Sequence, residues 1–329
     1  MPAAADKEKL MKNVLITARS FTPDSAAAKH LRDNGIRPVW NPYDHSLQEA
    51  DLVTLLPGMD AYIAGLEWIT AAAIEAATPQ LQIIARCGVG YDRVDLAAAA
   101  AAGIPVTITA GANSVAVAEL TLALMLAVAR CVTRQDASLR AGSWDKLIGP
   151  ELAGKTLGII GLGAIGSEVA KRAQAFGMRL IAYDICQRPS CISEYGVRYL
   201  PLADLLAESD FVSLHAPANT ATAGMINRET LRLMKPTAYL INTARGELVV
   251  EADLCAALRE GVIAGAGIDV YVCEPLPAGS ALTQLDNVVL TPHSGAGTYE
   301  AAQRMTMAAA EEVVRVLSGQ KPLHAVALG

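Results

Sequence analysis

Aromatic side chains are scarce in this 329-residue chain, at 5%, so any large core has to be built from the aliphatic part of its 52% apolar residues. Charge is scarce too, at 18%. What there is sums to −6, which supplies no basic stripe and argues against a general nucleic-acid binder. No apolar run approaches the roughly 20 residues that a membrane-spanning helix needs. The nearest, residues 120–129, is bracketed by Glu119 and Arg130 and reads as a buried helix, so no membrane partner is expected. Residues 1–13 are polar, lack the apolar core of a signal peptide and are expected to fray. The six cysteines (Cys87, Cys131, Cys186, Cys191, Cys255 and Cys273) form no Cys-x-x-Cys pair and meet no histidine-rich spacing. That pattern argues against a disulfide framework or a metal site and fits a reduced, cytoplasmic chain.

Short aliphatic runs alternate with helical patterns from end to end, which predicts an α/β protein with parallel sheets. The length allows two domains. Strands are expected at residues 14–17, 61–64, 82–85 and 106–109, and later at 211–214, 238–241, 266–268 and 288–290. Helices are expected at 25–34, stopped by Gly35, and at 96–102, stopped by Gly103. A long helical pattern runs from Asn113 towards Arg140 until Gly142-Ser143-Trp144 breaks it, and a last helix covers 298–317. No break in composition marks where one domain ends.

The strongest signal is Gly161-Leu162-Gly163-Ala164-Ile165-Gly166, set between an apolar run at 156–160 and a helix-like stretch at 167–176. A second apolar run, 179–183, ends in Asp184, eighteen residues beyond Gly166. Glycine turns alone are common; strand, turn, helix and acid-tipped strand in this order are the context of dinucleotide binding. The first glycine permits the tight turn, the second lets backbone approach a pyrophosphate, and the third lets helix pack on strand. The helix N-terminus offers free N–H groups to the phosphates. Asp184 is placed to accept hydrogen bonds from the adenosine ribose, which favours NAD over NADP because a 2′-phosphate would be repelled.

With so few titratable residues, those lying just beyond apolar strands stand out, because ligands of open parallel sheets bind past the carboxyl ends of the strands. His215, Arg245, Asp269, Glu274 and His293 all fit that rule. Removing a hydride from a carbon that bears a hydroxyl needs a base for the O–H proton, and a cation holds a substrate carboxylate; His293, Glu274 and Arg245 supply both kinds of group. Glu274-Pro275 also suits the start of a turn and Arg245-Gly246 a solvated loop, but the shared strand-end placement weighs against both. His30, His45 and His324 have no such context.

Together these stretches resemble the D-isomer-specific 2-hydroxyacid dehydrogenase family. The resemblance is carried by Arg86-Cys87-Gly88-Val89-Gly90-Tyr91-Asp92, by residues 158–166, 205–217, 234–246 and 266–275, and by Pro292-His293-Ser294-Gly295, in the family's order. It implies two Rossmann-like, doubly wound parallel-sheet domains with a cleft between them. Residues 1–110 and 297–329 would form a discontinuous substrate domain, and 111–296 the NAD-binding domain. By resemblance, His293 is the acid/base, Glu274 the carboxylate that orients it, and Arg245 the guanidinium that grips the substrate carboxylate. Val89 and Gly90 match a loop whose N–H groups hold the same carboxylate. Gly161, Gly163, Ala164, Ile165, Gly166, Asp184, His215, Pro217, Thr243, Ala244, Asp269, Ser294 and Gly295 match the cofactor site, Asp269 as the partner of the nicotinamide carboxamide. A homodimer is implied, with the apolar helix 115–129 as a candidate interface, although burial inside the monomer explains that helix equally well.

The expected activity is hydride transfer between NAD and C2 of a D-2-hydroxy acid or 2-oxo acid. The overall pattern is most like phosphoglycerate dehydrogenases, and Arg86, Arg140 and Lys146 are candidate phosphate contacts. Ala64, however, stands where several such enzymes resemble one another in having an arginine, so another anionic-tailed acid or a small one such as glycerate stays open. Two rival readings stand beside this one: a non-catalytic NAD-sensing corepressor-like scaffold, and a dehydrogenase of a small non-hydroxy-acid anion such as formate. Glu274 disfavours the second, since formate enzymes resemble one another in a glutamine at that place.

Overall fold

The computed structural model describes residues 11–45 and 47–327; the expected fraying of residues 1–13 falls largely outside that range. Two parallel sheets organise the chain. The first contains β1 (Lys12–Ile16), β2 (Ile36–Trp40), β3 (Ala61–Ala64), β4 (Ile84–Arg86) and β5 (Val106–Thr107), in the order β2-β1-β3-β4-β5. The second contains β6 (Thr156–Ile160), β7 (Arg179–Tyr183), β8 (Arg198–Tyr199), β9 (Phe211–Leu214), β10 (Tyr239–Asn242), β11 (Gly265–Ile268) and β12 (Val288–Leu290). Its order is β12-β11-β10-β9-β6-β7-β8. In each sheet the strand order reverses beside the first strand, which is the doubly wound arrangement. The described residues fall into two compact units, one drawn from Met1–Asn113 and Thr298–Gly329, the other Ser114–Gly297.

Central strands are apolar because helices cover both faces of a parallel sheet; β6, between β7 and β9, is buried at every residue. β2, which carries Pro38 and is mostly half-buried, lies at an edge where a missing N–H is tolerated; its mixed pattern gave no strand signal. The helix expected through residues 113–140 is two helices, Ser114–Ala129 and Val132–Arg140, meeting at 61°. The break is at Cys131, whose φ of 51° is left-handed and cannot continue a right-handed helix. Helix Ser114–Ala129 packs on β10, β11 and helix Ala164–Ala175 and buries Leu122, Leu124 and Met125 within its own unit. Among the described residues no single helix is long and apolar enough to cross a membrane.

In the first unit the last helix, Tyr299–Leu317, is capped by Thr298, whose hydroxyl accepts the Ala301 N–H at 3.1 Å. Its Ala309, Ala310, Val313 and Leu317 share a core with Val14, Ile16, Ala28 and Leu31.

In the second sheet Tyr183, Ile160, Leu214, Asn242, Ile268 and Leu290 pair in one register row across β7, β6, β9, β10, β11 and β12. Parallel strands end on the same side, so Asp184, Gly161, His215, Thr243, Asp269 and Thr291 leave a single edge in a row, with neighbours spaced about 4.8 Å apart.

Candidate active site

The glycine crook follows β6 directly. Gly161 has φ of +91°, and a Cβ there would lie 2.6 Å from the Ala216 nitrogen, so both conformation and crowding demand glycine. A Cβ at Gly166 would lie 2.2 Å from the Gly161 carbonyl oxygen, which is how closely helix Ala164–Ala175 approaches the loop. At Gly163 nothing lies within 4 Å of a Cβ position, so the space in front of the helix N-terminus is open. Open space at the second glycine, beside crowding at the first and third, fits a pyrophosphate cradle. Asp184 stands next in the row; its Oδ2 accepts the Leu162 N–H at 2.6 Å and its Oδ1 accepts the Cys186 N–H at 2.8 Å. The acid therefore ties the tip of β7 to the crook while keeping further acceptor capacity.

On the other side of β6, the His215 N–H donates to the Ile160 carbonyl at 2.7 Å, and its Nε2 is 2.8 Å from the Ser213 hydroxyl. Burial pushes its pKa down to about 3, so the ring is neutral, and its enclosed Nδ1 has no hydrogen-bond partner among the described residues. Pro217 is exposed, and its carbonyl closes a turn by accepting the Thr222 hydroxyl at 2.6 Å. At the tip of β10, Asn242 is buried; its Nδ2 donates to the Arg245 carbonyl at 2.8 Å and its Oδ1 accepts the Ala244 N–H at 3.1 Å. This side chain bends the chain back over residues 243–245. Thr243 is fixed from beneath by the Thr121 hydroxyl at 2.9 Å. Half-buried Arg245 is followed by Gly246, where a Cβ would lie 2.1 Å from the Tyr271 carbonyl carbon.

β11 and β12 deliver the carboxylate–imidazole pair. His293 Nδ1 lies 3.0 and 2.9 Å from the two carboxylate oxygens of Glu274, with the histidine side chain 28% exposed and the glutamate 13%. Glu274 Oε1 also accepts the Tyr271 N–H at 3.1 Å. Because Nδ1 is committed to the carboxylate, Nε2 is the ring nitrogen left for chemistry. His293 has φ of +51°, a conformation rare for a residue with a side chain, which persists only where its surroundings enforce it. Its N–H donates to the Asp269 carbonyl at 2.8 Å, while the Asp269 carboxylate accepts from the Thr291 hydroxyl (2.6 Å) and from the N–H groups of Ser294 (2.7 Å) and Gly295 (2.9 Å). Burial pushes the Asp269 carboxyl up, against those hydrogen bonds and the His293 ring, which pull it down. Tyr271 completes the brace: its hydroxyl donates to the Thr291 carbonyl at 2.9 Å, and burial pushes its pKa up to about 12, keeping the phenol a donor.

The structure thus brings Arg245, Glu274, His293 and every residue expected at the cofactor to one edge of one sheet. Asn242, Tyr271 and Thr291, which sequence reasoning gave no part, hold the two loops that carry the reactive groups. Val89, Gly90 and Arg86 lie in the other unit, after β4. No hydrogen bond is donated by the Val89 or Gly90 N–H among the described residues, leaving two backbone donors unengaged. Arg86 is 4% exposed, and its Nε donates to the Gly90 carbonyl at 3.1 Å. In this position the guanidinium shapes the loop. Arg140 is exposed and bonds to Asp136. No cluster of metal-ligating side chains occurs among the described residues.

Comparison with known proteins follows the same lines. Residues 122–295 match the family described as D-isomer specific 2-hydroxyacid dehydrogenase, NAD binding domain. A glyoxylate reductase of Korarchaeum cryptofilum is 43% identical over 273 residues, covering 81% of this chain and 82% of the relative. A D-3-phosphoglycerate dehydrogenase of Mycobacterium leprae is 42% identical over 271 residues, which is 82% of this chain but 51% of that longer protein. Among solved structures, a protein from Thermus thermophilus is 40% identical with a TM-score of 0.86, covering 95% of this chain and 99% of its own.

Proposed function

The chain belongs to the D-isomer specific 2-hydroxyacid dehydrogenase family, and on that premise we propose that it reduces glyoxylate or a similarly small 2-oxo acid with NADH and catalyses the reverse oxidation. It is an NAD-dependent oxidoreductase. The observation that carries the proposal is the convergence of Arg245 and the Glu274–His293 pair, from the adjacent tips of β10, β11 and β12, on the edge that holds the glycine crook.

The crook and the start of helix Ala164–Ala175 suit the pyrophosphate, and Asp184 suits the adenosine ribose. His215, Pro217, Thr243, Ala244, Asp269, Ser294 and Gly295 occupy the positions from which the nicotinamide half would be held. Bound NADH supplies the hydride. Arg245 grips the substrate carboxylate and draws charge onto the C2 oxygen; its planar fork matches a carboxylate as an ammonium cannot. His293 Nε2 delivers a proton to that oxygen as charge develops on it, and in the reverse direction takes the hydroxyl proton. Glu274 holds the ring by Nδ1 throughout, so the proton always enters and leaves through Nε2. In the five-stranded unit the N–H groups of Val89 and Gly90, which donate to no described residue, suit a carboxylate, and this supports a substrate role for that unit. A small acid is favoured by the likeness to the glyoxylate reductase of Korarchaeum cryptofilum, which extends over 82% of that relative, against 51% of the phosphoglycerate dehydrogenase of Mycobacterium leprae.

The test is NADH absorbance with a panel of 2-oxo acids, each repeated with NADPH. Rapid turnover of glyoxylate with NADH is expected. A folded, NADH-binding protein that turned over none of them would leave the scaffold reading standing instead.

We also propose a homodimer, with its contact just after the helix Ser114–Ala129. Helix Ser114–Ala129 is largely buried in its own unit, whereas Val132, Leu139, Trp144 and Ile148 just after it are 51%, 57%, 80% and 97% exposed. Sedimentation of the protein with Trp144→Glu is expected to shift it towards monomer.

A further inference from the structure

Beyond β3, residues Gly65 to Trp68 form a loop that no role assigned so far uses. The oxygen Oε1 of Glu67 is crowded with donors: it accepts the Gly65 N–H at 2.8 Å and is hydrogen-bonded by the hydroxyls of Thr17 and Tyr62. The other oxygen, Oε2, makes no hydrogen bond among the described residues, and a Cβ on Gly65 would sit 2.9 Å from it. Glycine at position 65 therefore leaves room for this carboxylate. Burial and the charge of Glu67 hold the Tyr62 phenol well above its ordinary range, so Tyr62 remains a donor to the carboxylate.

The loop is fastened to the stretch that continues from Val89 and Gly90. Arg93 donates from Nη1 to the Leu66 carbonyl at 2.7 Å and lies over the Trp68 ring at 5.7 Å; the Ile69 N–H donates to the Arg93 carbonyl at 2.8 Å, and the Asp95 N–H to the Ile69 carbonyl at 2.9 Å. β3 and β4 are adjacent, with Ala64 opposite Arg86, so the two loops leave neighbouring strand tips. Of the cations nearby, Arg86 bonds the Gly90 carbonyl through Nε and its charge is felt at Tyr62, Arg93 bonds Leu66 and lies over Trp68, and Arg19 is exposed beyond β1.

We propose that Glu67 is a specificity-determining residue, a fixed carboxylate beside the Val89–Gly90 loop that repels 2-oxo acids with an anionic tail and accepts those with a hydrogen or a hydroxyl there. This rests on the reading that Val89 and Gly90 take the substrate carboxylate. A tail on C3 then extends along the same edge, where Oε2 accepts a hydroxyl proton but meets a phosphate as a like charge.

The experiment compares kcat/KM of the wild type, Glu67→Gln and Glu67→Ala for glyoxylate, hydroxypyruvate and 3-phosphohydroxypyruvate at low and high salt. Glyoxylate has no tail and reports the basal reaction; its kcat/KM is expected to change by less than about threefold, because Gln retains the acceptor that Thr17, Tyr62 and Gly65 use. The phosphorylated substrate is expected to gain about tenfold or more in both variants, the size of a removed like-charge contact. In the wild type its KM falls with salt, and that dependence flattens in the variants. An unchanged preference between phosphorylated and unphosphorylated substrates, with glyoxylate turnover intact, overturns the inference alone. Loss of glyoxylate turnover in Glu67→Gln with an unchanged melting temperature overturns it too, since Glu67 would then act in the reaction itself. A wild type inactive on all three substrates overturns the proposed function beneath it.

Discussion

The two sheets share a plan and differ at their first loop. In the seven-stranded unit only three residues separate the end of β6 from helix Ala164–Ala175, and all the free N–H groups of that helix start stand next to the strand tip. In the five-stranded unit, nine residues separate the end of β1 from helix Ala26–Asp33, whose first turn is capped by Ser25. One winding yields an anion cradle; the other yields an edge lined by Thr17, Tyr62, Glu67 and Arg86. The same topology hosts different chemistry because binding is decided by the connections, not by the sheet.

The sharpest way to break this contrast is to remove the proposed proton donor from the seven-stranded edge. His293→Ala is expected to lower kcat by about 10²–10⁴ while NADH still binds, as nucleotide fluorescence titration will show; unaltered turnover would place the acid elsewhere. Arg245→Lys keeps the charge but loses the fork, and a fall in kcat/KM of roughly 10²-fold is expected, largely in KM. Asp184→Ser removes both the proposed ribose acceptor and the tie to Leu162. The KM for NADH should rise about tenfold and the preference over NADPH should shrink, read from paired initial rates. Tyr271→Phe deletes one hydrogen bond to the His293 loop, so a stability loss of about 1 kcal/mol and a modest drop in kcat are expected from denaturant melts and rates.

The smallest effect concerns pH. His215 is held neutral in the fold, its pKa pushed from 6.5 to about 3 by burial. Below the unfolded value the unfolded chain binds a proton that the folded chain refuses, so this group leaves stability intact above that value and erodes it as pH falls towards about 3. His215→Asn is expected to flatten the melting-temperature profile over that window.

Much of the site could be read from the sequence because its signals are local. Gly161, Gly163 and Gly166 are constrained by sterics within one turn, and Asp184, His215, Arg245 and His293 each sit just past an aliphatic run. The braces were invisible for the converse reason. Asn242, Tyr271 and Thr291 are ordinary strand-end residues whose partners lie across the sheet, so only the register of β10, β11 and β12 reveals them. Arg86 looked available because a strand-end arginine usually is; its burial depends on how residues 87–90 fold back. The bend at Cys131 had no signal, since a helical pattern ran through it, and β2 was hidden by Pro38 and its half-exposed face.

The return of the final helix to the first sheet sets an order of events during synthesis. Ala309, Ala310, Val313 and Leu317 are needed to seal the apolar face of β1 and its neighbours. β1 and its neighbours therefore remain uncovered until residues 299–317 have also emerged from the ribosome. The uninterrupted stretch Ser114–Gly297 needs no such wait. Domains usually mature from the amino end; here the middle of the chain is free to do so first.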